Sequence, residues 1–452
     1  MVLPAPLAQL SARIESREAV IGVIGLGYVG VASATALAQA GFRVVGVELK
    51  AERVAAINAG KCPIDGVEPD LPALMADVTA SKHLVAVTDH APLGEADIVL
   101  IDVDTPVASD HRPRFEALRS ACRALARVMK PGTLVIVEST VAPGTTERLV
   151  APLLEEASGK KLNEGFFLGH CPQRVMPGKL LENLRKLSRV CGGSTPDTAH
   201  VMATFYRTIV NGRLDETDLV TAELVKTAEN TYRDVKIAFA NELGLICESV
   251  GADFRRVREL VAGSAEQDVL FAGAGVGGHC IPKDPWLLVH GVEGVEPRLV
   301  TAARAVNDRM PLHMARLLED ALTEVGVAMA GARIAVLGWA YLENTGDTRN
   351  SPSEALVDHL RDRGCEVAIH DPWVSEYVGD FWERAKGAHA VVIMVAHDEY
   401  LSLDLERLAR ALQTPVMVDG RHVVDTEAAL RAGFVFRGLG RAKKKRPSSR
   451  AR

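Results

Sequence analysis

Ala19-Val20-Ile21-Gly22-Val23-Ile24-Gly25-Leu26-Gly27-Tyr28-Val29-Gly30 is the stretch that decides the fold. Its first six residues form a short apolar run of the kind found in a buried parallel strand. Residues 25–30 fit GxGxxG. Residues 31–40 are alanine-rich and helix-prone, and residues 42–47 read as a second strand that ends at Glu48. Strand, glycine turn, helix and strand together make a βαβ unit with short connections.

GxGxxG alone is a weak signal. Here it follows a strand, opens a helix and precedes an acidic residue at the end of the next strand, which is the context of a dinucleotide site. Gly25 permits the tight turn, Gly27 lets backbone approach a pyrophosphate, and Gly30 lets helix and strand pack closely. The diphosphate is expected on the helix N-terminus, at Tyr28 and Val29, where backbone N–H groups and the helix dipole favour negative charge. Glu48 is placed to accept from the adenosine ribose hydroxyls, and its carboxylate repels a 2′-phosphate, which favours NAD over NADP. The glycines alone leave FAD open as a competing dinucleotide.

Working outward, further strands are expected at 98–103, 134–138 and 166–170, with helices between them such as 114–129. From about Asp215 the pattern changes. Residues 221–250 contain few helix breakers and repeat apolar positions at helical spacing: Leu224, Val225, Ala228, then Val235, Ala238, Phe239. A second helical stretch covers 298–325. After Ala332 a strand-first pattern returns. Residues 334–338 form a strand, and 365–370, 390–395 and 415–419 supply more. Ser351-Pro352-Ser353-Glu354 reads as a helix start, with Ser351 as cap and Pro352 at the first helical position.

The expected fold class is therefore α/β, with two Rossmann-like doubly wound domains joined by a central helical domain. The boundaries read as an N-terminal extension at 1–18, an NAD-binding domain at 19–212, a helical domain at 213–328, a second nucleotide domain at 329–440 and a basic tail at 441–452. A chain of 452 residues is long enough to bury its core without disulfides or metal staples. Its net charge of -6 argues against a general nucleic-acid binder. No apolar run reaches the roughly 18 residues of a membrane span, and the N-terminus lacks the basic-then-apolar pattern of a secretory signal. Seven cysteines, an odd number with no CxxC pair, argue against a disulfide framework or a zinc site and for a reducing cytoplasm.

Gly273-Ala274-Gly275-Val276-Gly277-Gly278-His279-Cys280-Ile281-Pro282-Lys283-Asp284 is the stretch that points to chemistry. Four glycines, Gly273, Gly275, Gly277 and Gly278, let backbone come close to a ligand or move as a lid. A thiolate is a strong nucleophile, and loop N–H groups or nearby cations lower its pKa. A lone cysteine is more often a packing residue; the glycine run with His279, Lys283 and Asp284 reverses that weighting. A cysteine that works beside a nicotinamide suggests addition of the thiolate to an aldehyde, a second oxidation to a thioester, and hydrolysis to an acid.

With these motifs in hand, the chain resembles the UDP-glucose/GDP-mannose dehydrogenase family over nearly its full length. The matching pieces are GLGYVG at 25–30, Thr105-Pro106, Ser139-Thr140 with Pro143-Gly144-Thr145, KTAEN from Lys226 to Asn230, the loop ending at Cys280 and Asp284, and Asp347-Thr348-Arg349 with Ser351-Pro352. The wording GVGGHCIPKDP and CPxRVxPG is similar to the branch acting on UDP-N-acetylhexosamines.

The resemblance implies roles. Cys280 would be the nucleophile, Lys226 the cation near the reacting C6 oxygen and Asn230 its hydrogen-bonding neighbour. Asp284 and Thr140 would hold a water that takes the alcohol proton. Thr105 and Thr140 would also contact NAD, and Arg174, Val175, Gly277, His279 and Arg349 would join Lys226 and Asn230 around the UDP-sugar. An ordinary salt bridge is an equal reading of Arg349. The last domain would hold the UDP half, and a homodimer through the long central helix, or a higher assembly, is implied.

One position departs from the pattern. Gln173, in Cys171-Pro172-Gln173-Arg174-Val175, stands where the family places a glutamate that helps water attack the thioester. An amide orients water but cannot accept a proton as a base. The enzyme then either hydrolyses slowly, or uses another carboxylate such as Glu138 or Glu182, or stops at the aldehyde or thioester. A simpler two-electron dehydrogenase of the 6-phosphogluconate type would need neither the cysteine loop nor the C-terminal nucleotide domain.

Overall fold

The structure is a computed structural model that describes residues 3–64, 68–176, 178–263 and 268–441. Residues 442–452 of the basic tail, and Pro177 of the CPxRVxPG motif, lie outside the described residues. Two compact units divide the chain. The first comprises Met1–Glu229 with Trp286–Val295, and the second Asn230–Pro285 with Glu296–Arg452.

The first unit is built on an eight-stranded sheet: β1 (Val20–Ile24), β2 (Arg43–Val47), β3 (Leu84–Val87), β4 (Ile98–Ile101), β5 (Thr133–Val137), β6 (Phe166–His170), β7 (Arg189–Gly193) and β8 (Leu214–Asp218). Their order is β3-β2-β1-β4-β5-β6-β7-β8. The first six follow the doubly wound dinucleotide-binding order, whose ligand crevice lies where the order reverses, at the carboxyl ends of β1 and β4. All neighbours are parallel except β6 and β7. The central strands β1, β4 and β5 are apolar on both faces because both faces are covered. One face packs against Leu7, Leu10, Ile14, Leu37, Met202 and Phe205, and the other against Leu118, Leu125 and Leu154. Leu7, Leu10 and Ile14 belong to helix Ala5–Glu15, which the sequence reading left inside an extension.

The second unit carries a five-stranded parallel sheet: β9 (Arg333–Leu337), β10 (Glu366–His370), β11 (Ala390–Ile393), β12 (Val416–Asp419) and β13 (Val435–Gly438), in the order β10-β9-β11-β12-β13. Its order reverses between β9 and β11. Ser351 caps helix Pro352–Asp362 by accepting from the Ser353 N–H at 3.2 Å. Two long helices, Leu219–Val250 and Arg298–Glu324, match the two expected helical stretches to within a residue or two. In this unit Ala240, Cys247, Met310, Met314 and Leu318 of the helices share one apolar cluster with Ile334, Val336, Val392 and Val418 of the sheet. Among the described residues no helix is long and apolar enough to cross a membrane.

Candidate active site

In the first unit the glycine turn forms as the sequence demands. Gly25 adopts φ +95, and a Cβ there would lie 2.4 Å from the Asp102 carbonyl oxygen. A Cβ on Gly30 would lie 1.9 Å from the Gly25 carbonyl oxygen, so this glycine is needed for helix and turn to touch. Gly27 is different, since a Cβ there would meet nothing within 4 Å. Gly27 stands at the N-cap of helix Tyr28–Gln39, which no side chain caps. A pyrophosphate fits such an uncapped helix start. Val29 and Tyr28 lie in its first turn, and the Tyr28 hydroxyl bonds Glu68. Glu48 stands at the end of β2, accepts from the Lys50 N–H at 3.1 Å and lies 3.8 Å from the Arg53 guanidinium. Its carboxylate is thus held in place at the end of β2. Thr105 and Thr140 come together, with the Thr105 hydroxyl donating to the Thr140 carbonyl at 2.6 Å.

The start of helix Leu219–Val250 is tied to the same unit. Glu223, fully buried, accepts from the Gly144 N–H at 2.5 Å and from the Thr146 N–H and hydroxyl at 2.7 and 2.6 Å. This fixes the turn after Thr140 against the helix that carries Lys226 and, one turn on, Asn230. Burial pushes the Glu223 carboxyl up. Sequence reasoning missed Glu223. The only signal was an acidic residue three places before Lys226, which on a helix is the same face.

Gln173 is buried, and its amide donates to the Ser33 hydroxyl at 3.3 Å. Ser33 donates in turn to Glu138 at 3.4 Å. Glu138 also accepts from the Tyr206 hydroxyl at 2.7 Å and Arg189 at 3.2 Å, all of them buried. Burial, then the neighbouring Glu138 charge, push the Asp102 carboxyl well above the usual range. Glu138 is therefore committed to an internal network. Glu182 is exposed and paired with Lys186 at 3.0 Å. Arg174 is anchored by Glu229 and by the Ser188 carbonyl and hydroxyl at 2.8 and 2.9 Å. Val175 packs beside Leu180, Leu181 and Leu184.

The second unit holds the cysteine loop. Cys280 is exposed, and its carbonyl accepts the N–H groups of Lys283 at 3.0 Å and Asp284 at 2.8 Å. The thiol therefore sits on a tight turn that runs directly into helix Asp284–Val289. Asp284 is fully buried, and both its oxygens are engaged: one accepts from the Asn230 amide at 2.5 Å, the other pairs with Lys283 at 2.8 Å. Upstream, the Gly278 N–H donates to the Arg349 carbonyl at 2.8 Å, and the Asn350 amide donates to the Gly278 carbonyl at 3.0 Å. A Cβ on Gly277 would lie 2.5 Å from Tyr341 Cβ. His279, beside Gly278, is half-buried. The Arg349 side chain pairs with Asp347 at 2.5 Å. Burial, then the Asp347 charge, push the Tyr341 hydroxyl up to about 12. A cleft of about 410 Å³ within this unit is lined by Val276 and Pro282 of the loop and by Arg304, Asn307, Asn350 and Ser351.

The second sheet has its own turn after the first strand, Gly338-Trp339-Ala340, and its own acid after the neighbouring strand, Asp371. The pair is used differently. Asp371 turns its carboxylate back onto the turn and accepts from the Trp339 N–H at 2.6 Å and the Ala340 N–H at 2.8 Å. His397, fully buried, bonds the same oxygen at 3.1 Å and accepts the Asn344 N–H at 2.9 Å. Burial alone would raise the Asp371 pKa, but the hydrogen bonds from His397, Ala340 and Trp373 outweigh it and hold the carboxyl below its ordinary value. The N–H groups that would cradle a pyrophosphate are thus already bonded.

One open dinucleotide cradle, one nucleotide-type sheet with its cradle filled from within, and a thiol on a glycine-rich turn define a dinucleotide-dependent oxidoreductase. The chain belongs to the UDP-glucose/GDP-mannose dehydrogenase family: the family's NAD binding domain matches residues 19–210, its central domain 220–309 and its UDP binding domain 335–426. It is an oxidoreductase of that family, and its cofactor is NAD. It is 38% identical to a UDP-N-acetyl-D-mannosamine dehydrogenase of Pyrococcus horikoshii over 93% of this chain and 99% of the relative. It is 34% identical to an NDP-N-acetyl-D-galactosaminuronic acid dehydrogenase of Ralstonia solanacearum over 89% and 95%. Among solved structures, the UDP-D-ManNAc dehydrogenase of Pyrococcus horikoshii superposes with TM-score 0.89 at 37% identity, covering 93% of this chain and 99% of that one. The NDP-N-acetyl-D-galactosaminuronic acid dehydrogenase of Methanosarcina mazei superposes with TM-score 0.85 at 36% identity, covering 96% and 98%.

Proposed function

We propose that this chain oxidises the C6 alcohol of a UDP-N-acetylhexosamine, with UDP-N-acetylmannosamine as first choice, to the uronic acid through a covalent Cys280 intermediate. The observation that carries the reading is the exposed Cys280 on a turn that leads straight to Asp284, with Asp284 locked by Asn230 and Lys283. The names of the relatives support the sugar.

Gly25, Gly27, Tyr28, Val29, Gly30 and Glu48, with Thr105 and Thr140 beside them, would hold NAD, each molecule of which would accept one hydride from C6, so that the two oxidations consume two NAD in succession. The chain's own residues do the rest. Lys226 places a cation where the C6 oxygen gathers negative charge, which is worth several kcal/mol at a desolvated site. Thr140 and Asp284 orient the water that takes the alcohol proton. The Cys280 thiolate adds to the aldehyde carbon to give a thiohemiacetal, and its second oxidation leaves a thioester. Water cleaves the C–S bond, releasing the carboxylic acid and restoring the thiol. Arg174, Val175, Asn230, Gly277, His279 and Arg349 bind the substrate, with the UDP half at the β9–β11 reversal of the second sheet. A reducing compartment such as the cytoplasm keeps the thiol usable.

The test is NADH formation across UDP-N-acetylmannosamine, UDP-N-acetylglucosamine, UDP-N-acetylgalactosamine and UDP-glucose, for the wild type and Cys280→Ser. Turnover of UDP-glucose alone, or an undiminished rate of acid formation in Cys280→Ser, overturns it. A second reading, arrest at the aldehyde or thioester, is favoured by Gln173, whose amide is bonded to Ser33 and offers no base. Two NADH per sugar with free acid released in a single turnover removes that reading.

The assembly we propose is a homodimer. Tyr232, Phe239 and Ile246 recur every seven residues on helix Leu219–Val250 with Val250 four further on, and all are exposed. Such a stripe marks a docking face. Sedimentation of Phe239→Glu as monomer, against a wild-type dimer, supports this; a monomeric wild type overturns it.

A further inference from the structure

Two residues outside the proposed chemistry touch face to face. The His111 and Trp286 rings stack with centroids 3.8 Å apart and an interplanar angle of 11°. His111 sits at the tip of a tight hairpin that starts one residue after Thr105. The hairpin is closed by the Val107–Pro113 bridge, the Ala108 N–H to Arg112 carbonyl bond at 2.9 Å and the Arg114 N–H to Pro106 carbonyl bond at 2.7 Å. His111 itself has φ 63. Histidine is one of the few non-glycine residues that take up this left-handed conformation readily, and it suits the tip of a tight turn.

Trp286 is two residues beyond Asp284, in helix Asp284–Val289. The Cys280 carbonyl accepts from the N–H groups of Lys283 and Asp284, so the thiol and the indole are joined by one hydrogen-bonded turn and one helix start. Segment Trp286–Val295 belongs to the first unit, although the chain on either side of it belongs to the second. The path of the chain thus changes unit just after the cysteine turn, and the first side chain past that point is the one stacked on His111.

We infer that the His111–Trp286 stack is a positioning contact that holds the cysteine turn, so that the thiolate of Cys280 captures the aldehyde before it escapes. The inference rests on the reading of Cys280 as nucleophile. His111 and Trp286 are positioning residues: neither bonds to the reacting atoms. A flat aromatic pair of this kind biases a local opening equilibrium by about two- to tenfold. Release of the turn leaves the first oxidation intact and slows thiohemiacetal formation, so free aldehyde accumulates.

The experiment uses the full chain with His111→Ala, Trp286→Ala, His111→Phe and Cys280→Ser. Amide hydrogen exchange over 280–289 is measured without substrate. Free aldehyde is trapped with a hydrazine during turnover of UDP-N-acetylmannosamine. In His111→Ala and Trp286→Ala, exchange at 280–289 is expected to quicken about two- to tenfold and trapped aldehyde to rise by a similar factor. His111→Phe, which keeps a flat ring, is expected to behave as wild type in both. Unchanged exchange at 280–289 in His111→Ala overturns the positioning contact whatever the activity. So does quickened exchange without extra aldehyde, or a His111→Phe that leaks like His111→Ala. An undiminished rate of acid formation in Cys280→Ser instead overturns the nucleophile, and the exchange result then still decides whether the stack holds the turn.

Discussion

Asp371 accepts the backbone N–H of Trp339 at 2.6 Å, which closes the second sheet's glycine turn from inside the protein. The equivalent carboxylate of the first sheet, Glu48, accepts from Lys50 instead and leaves its own glycine turn clear. The two sheets thus carry the same sequence device, a glycine turn after one strand and an acid after the next, in two states.

Replacing Asp371 by alanine strands four backbone N–H donors, those of Trp339, Ala340, Trp373 and Val374, and the His397 ring. A loss of about 1–3 kcal/mol is expected, read as a lower midpoint in urea. The stabilisation should also be pH-dependent with a definite sign. Because the folded carboxyl is held below its ordinary value, its contribution is present above the unfolded carboxylate pKa and disappears as pH falls through the folded one. Wild type and Asp371→Ala should therefore converge in stability on acidification, and a constant gap between them refutes the assignment.

Gln173→Glu restores a carboxylate at the position where the resemblance calls for one. Acid release in a single turnover is expected to accelerate, with the general-base range of about 10²–10⁴-fold as ceiling. Rapid-quench separation of thioester from free acid measures it. No acceleration means that Gln173 already serves the hydrolysis or takes no part in it.

Glu48→Ala removes the proposed ribose acceptor and the charge proposed to disfavour a 2′-phosphate. Hydrogen bonds to a charged group contribute about 1.5–3 kcal/mol, so the KM for NAD should rise roughly tenfold or more while NADP becomes a usable cofactor. Kinetics with both cofactors check this, and an unaltered NAD to NADP ratio counts against Glu48 as the ribose contact.

His170, at the end of β6, is fully buried with no hydrogen-bond partner on either ring nitrogen among the described residues. Burial lowers its pKa to about 3. Between pH 6.5 and 3 the unfolded chain takes up a proton that the folded chain refuses. Stability falls in that window by on the order of 1 kcal/mol per pH unit from this group. Urea unfolding of wild type and His170→Leu at pH 7, 6 and 5 tests the sign. The variant should show the shallower decline, and equal slopes defeat the prediction.

Much of this was legible in the sequence because it rested on local physics. GxGxxG requires Gly25 and Gly30 wherever a βαβ unit places them, and the helical period of 221–250 needs no partner to be read. The cysteine loop announced itself by glycines that only close backbone packing explains. The polar strand Leu214–Asp218 gave no alternation to follow, because it lies at the sheet edge. Helix Ala5–Glu15 had a readable signal in Leu7, Leu10 and Ile14, spaced three and four apart, but is short. The roles of Glu223, His111 and Asp371 were illegible because each acts on a segment far away in the chain. Nothing local to the turn after β9 said that Asp371 would fill the cradle.

The border between the two compact units falls between Glu229 and Asn230, inside a continuous 32-residue helix. There is consequently no loop at which a gene could be cut to express either half. A truncation at that border would leave ragged carbonyls on one fragment and unbonded amides on the other, and would part Lys226 from Asn230. Anyone wishing to study the cofactor half in isolation must carry the whole rod with it.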